Sequence, residues 1–186
     1  SQTATDATTY VITPKGQTAT NYAITYYNGT LTINQKAVSL SGSRDYSGSA
    51  NVASTVLTNM TGLIDTETLG LSGTGTISGA NASVTPYTVT TTGLSLADGT
   101  NGGKAANYKL TGGTYTVTIN KVALSVTANN DSRDYNGQAY SGGNGVGYSG
   151  FVNSETSTVL GGTLAYEGTS QTATDATTYV ITPKGQ

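Results

Sequence analysis

The sequence predicts a mainly β fold made of small tandem modules, and three observations carry this prediction. Threonine, valine, isoleucine and tyrosine alternate with polar residues over short stretches, which is the two-residue period of half-buried strands. Turns rich in glycine and asparagine separate these stretches. Two internal repeats indicate an array of similar units, which we expect to be arranged as an elongated rod.

The composition argues against several functional classes. The eight basic residues are scattered along 186 positions, so no basic patch is expected to bind nucleic acid. Without cysteine, the chain has no disulfide or thiolate metal site, and without histidine it lacks the commonest general base. No apolar run approaches the roughly 20 residues of a membrane span. The 13 tyrosines and the small net charge of −2 favour a folded chain over a disordered one.

The longer repeat is exact. Residues 1–17, SQTATDATTYVITPKGQ, recur unchanged as residues 170–186. The interval from Ser1 to Ser170 is therefore one repeat period, which we call the long period. Chance does not produce such an identity, so we expect the chain to be an excerpt of a longer protein that repeats with the long period.

A second, diverged repeat lies inside the long period. Residues 21–25 and 31–36 match residues 107–111 and 117–121, residues 43–48 match 132–137, and residues 62–68 match 150–156. Lys36 and Lys121 divide the long period into two units of nearly equal length. The predicted domains are a complete module over residues 36–120, the N-terminal part of a sister module over 121–186, and the C-terminal part of such a module over 1–35.

The two partial modules are expected to be complementary in shape. Residues 1–35 of one chain would then complete residues 121–186 of the next by strand addition. The predicted partners are therefore neighbouring repeats or other copies of the same chain, with a polysaccharide or a host or bacterial surface as a further candidate.

Two hairpins are predicted at sister positions. Asn28-Gly29 stands between alternating runs over residues 23–27 and 30–33, and this dipeptide tolerates the positive φ angles of a type I′ turn. Gly112-Gly113 occupies the corresponding place between residues 108–111 and 114–119. Residues 37–40 and 122–126 are predicted to be the first strands of the modules that follow.

One short helix per module is a further prediction. Residues 152–161 begin with polar capping residues, continue with an acidic residue and end at glycine, although an irregular loop fits them equally well. Glu67 and Glu155 hold the same position in the sister modules, and we interpret both as acids in the first turn of a helix.

The twice-occurring Ser-Arg-Asp-Tyr-x-Gly element is the main candidate site. We interpret it as a structural turn in which aspartate caps the backbone, glycine takes a positive φ and arginine lies over tyrosine. Its turn residues are Asp45, Tyr46 and Gly48 in one copy and Asp134, Tyr135 and Gly137 in the other. The alternatives are a binding role and a calcium site over residues 129–136, whose spacing fits neither the EF-hand nor the glycine–aspartate nonapeptide. No catalytic, cofactor or metal residue is predicted.

With the repeats laid out, residues 36–120 resemble the YDG domain of large bacterial adhesins, and residues 121–186 followed by 18–35 resemble the MBG module paired with it. The first resemblance is carried by Asp45-Tyr46-Ser47-Gly48, Gly62-Leu63-Ile64, Leu71-Ser72-Gly73-Thr74-Gly75-Thr76, Thr92-Gly93-Leu94-Ser95-Leu96 and Ala106-Asn107-Tyr108-Lys109-Leu110. The second is carried by Tyr148-Ser149-Gly150-Phe151-Val152, Gly162-Thr163-Leu164-Ala165-Tyr166, Thr178-Tyr179-Val180-Ile181-Thr182-Pro183 and Asn21-Tyr22-Ala23-Ile24-Thr25-Tyr26. The namesake Tyr-Asp-Gly is Tyr46-Ser47-Gly48 here, which keeps the glycine of the turn.

The resemblance implies an exported protein of the bacterial cell surface, in which these modules form the stalk of a filamentous adhesin. It also implies a β-grasp-like arrangement of each module, with a β-sandwich as the open alternative. The predicted function is a non-enzymatic structural spacer that supports attachment or biofilm formation. The alternative is an adhesion module that binds carbohydrate or cells through exposed tyrosine and threonine side chains.

Overall fold

The computed structural model describes residues 3–185, and within them the chain is mainly β, as the sequence predicts. The described residues form two compact units. Unit 1 comprises the chain up to Arg44 and residues Ser49–Asn120, and unit 2 comprises Asp45–Gly48 and the chain from Lys121 onward. Across residues 3–185, no helix has the length and apolar character needed to cross a membrane.

Eleven short strands lie in the described part of the chain up to Asn120. They are β1 (Thr9–Ile12), β2 (Gly29–Thr32), β3 (Lys36–Ala37), β4 (Ser39–Asp45), β5 (Asn51–Ala53), β6 (Asn59–Thr61), β7 (Leu69–Thr76), β8 (Ser83–Thr88), β9 (Leu94–Asp98), β10 (Tyr108–Lys109) and β11 (Tyr115–Asn120). The largest sheet has the order β6-β4-β11-β8, and a second sheet has the order β5-β7-β9. Two further pairs are β1-β2, which is antiparallel, and β10-β3, which is parallel.

All ten buried apolar side chains among the described residues belong to unit 1. They are Val38, Leu40, Val52, Leu57, Ile77, Val89, Leu94, Tyr108, Val117 and Ile119. In β4 and β11 they alternate with serine and threonine, because successive strand residues point to opposite faces of the sheet. The core of unit 1 is therefore small and lies on one face of the four-stranded sheet and around it.

Unit 2 has four strands in two separate pairs among its described residues. They are β12 (Ser125–Ala128), β13 (Val146–Ser149), β14 (Ala165–Glu167) and β15 (Thr182–Lys184). β12 pairs with β13, and β14 pairs with β15, both antiparallel. Ser170 is the one buried residue among those that the structure describes in this unit. Unit 2 therefore has strand pairs without a fully buried apolar core.

The structure differs from both predicted hairpins. Gly29 begins β2, which pairs with β1 rather than with residues 23–27, and Gly29 has no positive φ. Likewise β10 pairs with β3 rather than with β11, and only Gly112 of the Gly-Gly pair has a positive φ, +80°. In both places pairing with a distant strand replaces the local turn that Asn28-Gly29 and Gly112-Gly113 favour.

The predicted helix over residues 152–161 is wrong as well. Asn153 and Ser154 have φ angles of +54° and +59°, which are left-handed values that a right-handed helix cannot contain. A single 3₁₀ turn, Ser157–Val159, is the remaining helical feature of this stretch. Two other 3₁₀ turns, Ser54–Val56 and Ala105–Asn107, lie in unit 1, and no α-helix occurs in residues 3–185. The first strands of the modules form as β3–β4 and, three residues later than predicted, as β12.

Candidate functional site

Two turns of similar geometry hold the paired glutamates, and we call them the glutamate turns (residues 62–67 and 150–155). Each begins with a glycine of positive φ, +93° at Gly62 and +116° at Gly150, and each has a left-handed residue three positions later. In each turn the glutamate N–H donates to the carbonyl three residues earlier at 3.0 Å. An added Cβ on either glycine would meet the carbonyl oxygen of a sister alanine, Ala37 or Ala123. The two units therefore share this part of their fold.

In unit 1 the glutamate turn is bonded to a buried tyrosine. The Tyr108 hydroxyl donates to Glu67 Oε2 and accepts the Ile64 N–H at 3.1 Å, while the Tyr108 side chain is 4% exposed. Burial, followed by the hydrogen bond to Glu67, raises the pKa of Tyr108 above its ordinary value. The tyrosine therefore stays neutral and fastens the turn to β10.

In unit 2 the glutamate is bonded to a tyrosine from a different part of the chain. The Tyr46 hydroxyl donates to Glu155 Oε1, and this bond raises the pKa of Tyr46. The sequence interpretation of Glu67 and Glu155 as helix-start acids is thus wrong, because neither stands in a helix. Both are acceptors for a tyrosine hydroxyl.

The Ser-Arg-Asp-Tyr-x-Gly elements form a second pair of equivalent turns, which we call the arginine turns (residues 43–48 and 132–137). Arg44 donates to the carbonyl of Ser49, and Arg133 donates to the carbonyl of Gln138, five residues on in each case. Gly48 and Gly137 have φ angles of +71° and +69°. The arginine therefore closes the turn from inside, and glycine supplies the left-handed conformation.

One part of the predicted turn geometry is wrong. Arg133 does not lie over Tyr135. Its guanidinium carbon lies 5.3 Å from the ring centroid of Tyr140, which is a cation–π distance. The Tyr140 hydroxyl in turn donates to Asp131 at 2.7 Å, and this bond raises the pKa of Tyr140. Tyr135 is largely exposed, and Asp45 and Asp134 are exposed positions within the arginine turns.

A cavity of about 320 Å³ opens beside the arginine turn of unit 2. Its lining includes Asp131, Arg133, Asp134, Tyr135 and Asp175. Tyrosine rings with acidic and basic groups could contact a sugar, but Arg133 already donates to the carbonyls of Gln138, Ala139 and Ala173. The guanidinium of Arg133 is therefore already used to hold the walls of the cavity together.

The predicted calcium alternative falls on the same loop. In the part of the chain that the structure describes, no three acidic, histidine or cysteine side chains group closely enough to hold a metal ion. Within residues 129–136, the Asp131 carboxylate accepts the Ser132 N–H and the Tyr140 hydroxyl. Calcium binding here stays an alternative to the structural interpretation of the turn.

The sequence did not reveal an ion pair in unit 1. Lys104 Nζ lies 2.8 Å from Asp6 Oδ2, and Asn107 Nδ2 donates to Asp6 Oδ1 at 3.1 Å. The hydrogen bond from Lys104, followed by that from Asn107, lowers the pKa of Asp6. Nothing in the local sequence links residues that lie so far apart along the chain.

Comparison with known proteins found no matching family model, no similar curated protein and no similar solved structure.

Proposed function

We propose that this chain is a repeat unit of the stalk of an exported bacterial adhesin, of the YDG and MBG type, and that its modules follow one another as an elongated rod. The observation that carries the proposal is the exact recurrence of residues 1–17 as residues 170–186. A protein that repeats one sequence without change uses the same unit many times in series, which suits a spacer. The spacer would hold a binding domain away from the cell and so support attachment or biofilm formation.

The tyrosines support a structural role. The hydroxyls of at least seven of the 13 tyrosines bond to groups of the chain itself. These seven are Tyr10, Tyr26, Tyr46, Tyr87, Tyr108, Tyr115 and Tyr140. In a unit with a small apolar core, such bonds fix loops that burial alone would leave loose. We propose no catalytic role.

Small-angle scattering of chains that contain one, two and three consecutive long periods tests the stalk. The longest dimension should rise by equal steps while the radius of the cross-section stays constant. The matched control carries a Gly/Ser linker between Asn120 and Lys121. Because such a linker is flexible, each added repeat should then increase the longest dimension by less than the repeat before it. If the unmodified chains already behave like the linker variant, or form one globule, the stalk proposal is wrong.

A second candidate function is adhesion through the cavity of unit 2, because Tyr135 is exposed at its rim. A tyrosine ring offers a flat apolar area with a polar tip, which suits contact with a sugar. A glycan screen decides between the functions: reproducible binding that Tyr135→Ala abolishes and Tyr27→Ala leaves intact favours adhesion. Tyr27 is the appropriate control because it is at least as exposed as Tyr135 and lies in unit 1.

The proposed location is the cell surface. Antibody against residues 36–120 should label intact cells of the source bacterium, and protease added outside should remove the label. Labelling that requires permeabilised cells would contradict export.

A further inference from the structure

Two of the small sheets in this chain are the two halves of the larger one. In the sheet β6-β4-β11-β8, β4 uses both edges, with β6 on one side and β11 on the other. The pair β12–β13 repeats β4–β6: Ser125 stands opposite Ser149 as Ser39 stands opposite Thr61, and both pairs lead into a glutamate turn. β12 therefore corresponds to β4.

The pair β1–β2 repeats the other half, β8–β11. Residues 21–35 align with residues 107–121 without a gap, so Leu31 corresponds to Val117. Tyr10 stands opposite Leu31 as Tyr87 stands opposite Val117. The hydroxyls of both tyrosines return to a backbone carbonyl shortly before them, that of Asp6 or Asn81. β2 therefore corresponds to β11, and β1 to β8.

Each half exposes what the complete sheet buries. Val117 is fully buried, whereas its equivalent Leu31 is 41% exposed, and Tyr22, the equivalent of Tyr108, is 80% exposed. On the other side, Leu124 and Val126 are only half-buried, although their equivalents Val38 and Leu40 are buried completely. Among the described residues, β12 pairs with β13 alone, and β15 approaches β12 but pairs with β14.

We infer that the edge of β12 opposite β13, which forms no strand pairing within the described chain, binds β2 of a second copy of this chain, giving a sheet of order β13-β12-β2-β1 across the two copies. Backbone hydrogen bonds along β12 supply the attachment, and burial of Leu31, Tyr22, Leu124 and Val126 supplies the driving force. Tyr22 of the incoming copy then bonds to Glu155, as Tyr108 bonds to Glu67. Tyr46 holds that place in the isolated chain.

The interface joins different surfaces of the two copies, so each copy can bind one neighbour through β2 and another through β12. Such a contact adds copies in one direction and produces open chains rather than closed dimers. The inference rests on the internal repeat and on strand register. It does not depend on the stalk proposal. Scattering on covalently joined repeats can therefore contradict the stalk while assembly through β2 and β12 is still observed.

The absence of cysteine allows a clean cross-linking test. In unit 1 the Thr114 N–H donates to Ser39 Oγ at 2.9 Å, which makes Asn28 and Ser125 the expected neighbours across the new interface. An equimolar mixture of full-length N28C and S125C chains should form a disulfide-linked heterodimer under mild oxidation. The control mixture is N28C with S149C. Ser149 lies one strand further away, about 9.5 Å from β2, which exceeds the reach of a disulfide.

The expected result is at least tenfold faster heterodimer formation with S125C than with S149C. Equal rates, or no heterodimer, would overturn the inference. A chain carrying both N28C and S125C shows whether the β2 strand at β12 comes from a second copy or from the same chain. Disulfide-linked dimers and longer chains support a second copy. A monomer with an internal disulfide at high dilution overturns the inference. Tyr22→Phe should weaken association in sedimentation by about tenfold, and Tyr46→Phe should not weaken it.

Discussion

Two equivalent strand pairs, β4–β6 and β12–β13, differ in the number of strands in their sheet. β4–β6 belongs to a four-stranded sheet and buries Leu40 to 1% exposure, whereas β12–β13 stands as two strands and leaves Val126 half-buried. The turn after each pair has a glycine of positive φ and a left-handed residue three positions later in both units. Local sequence therefore sets the turn and the register, and the neighbouring strands decide how much apolar surface is buried.

The largest expected effect comes from replacing a side chain by alanine at two equivalent strand positions. Leu40→Ala should reduce the free energy of unfolding of unit 1 by about 2–5 kcal/mol, because it leaves a cavity in a closed core. Val126→Ala should cost less than half as much, since the side chain still contacts water. Urea unfolding with amide exchange as the site-resolved readout measures both. Equal losses would mean that unit 2 buries Val126 as fully as unit 1 buries Leu40.

The next largest effect is expected at the equivalent tyrosines Tyr108 and Tyr22. Tyr108→Phe removes the donor to Glu67 and leaves the Ile64 N–H without its acceptor, so we expect a loss of about 1–3 kcal/mol in unfolding free energy. Tyr22→Phe is the control at the sister position. In the monomer it should change stability by no more than about 0.5 kcal/mol, because Tyr22 is exposed. A large effect at Tyr22 in dilute monomer would contradict the comparison.

Alkaline pH should weaken the contribution of Tyr108 to stability. Because the pKa of Tyr108 is raised in the folded chain, its contribution to stability is complete below the ordinary tyrosine pKa of about 10. That contribution is lost as pH rises through the higher folded value. The difference in urea midpoint between wild type and Tyr108→Phe should therefore shrink as pH rises above about 10. A difference independent of pH would exclude ionisation of Tyr108 as the cause.

The smallest expected effect concerns Asp6 and Lys104, which form an exposed ion pair. The lowered pKa of Asp6 means that the pair contributes above the ordinary aspartate pKa, and that this contribution is lost as pH falls through the lowered value. NMR titration should show the Asp6 pKa below its usual range, and Lys104→Met should move it upward. The matched variant Lys109→Met should leave it unchanged, because the Asp6 carboxylate is bonded to Lys104 and Asn107 instead. An unchanged Asp6 pKa in Lys104→Met would rule out this pair.

The strands were the most predictable part of the fold. Alternation over residues 37–40 identifies β3–β4, because burial on one face demands a period of two. The hairpin at Asn28-Gly29 was predicted from the same kind of local evidence and is wrong, since β2 pairs with β1 instead. A turn dipeptide permits a hairpin but does not specify which strand will be the partner.

The glutamate turns show why the candidate sites were harder to predict. The recurrence of Glu67 and Glu155 was visible in the sequence, but their acceptor role depends on Tyr108 and Tyr46, which lie 41 and 109 residues away. Such pairs come together only through tertiary structure. A recurring Asn-Tyr at residues 21–22 and 107–108 was the available signal that one of these tyrosines belongs with the turn.

The exact repeat shows the limit of local prediction most directly. Residues 9–12 form β1, whereas the identical residues 178–181 belong to no strand, and the strand of the second copy begins at Thr182. Because the two sequences are the same, their different structures must come from the residues around them.

This duplication also affects how faithfully copies can pair. A β2 strand that seeks a β1 partner meets two candidates with the same side chains, so recognition by sequence cannot tell them apart. Proximity along the chain then decides, because the copy just upstream of β2 in the same chain is present at the higher effective concentration. β1 and β2 should consequently stay paired and be added together to a neighbouring molecule. If β2 paired with the wrong copy of the β1 sequence, the register between molecules would be displaced by one long period.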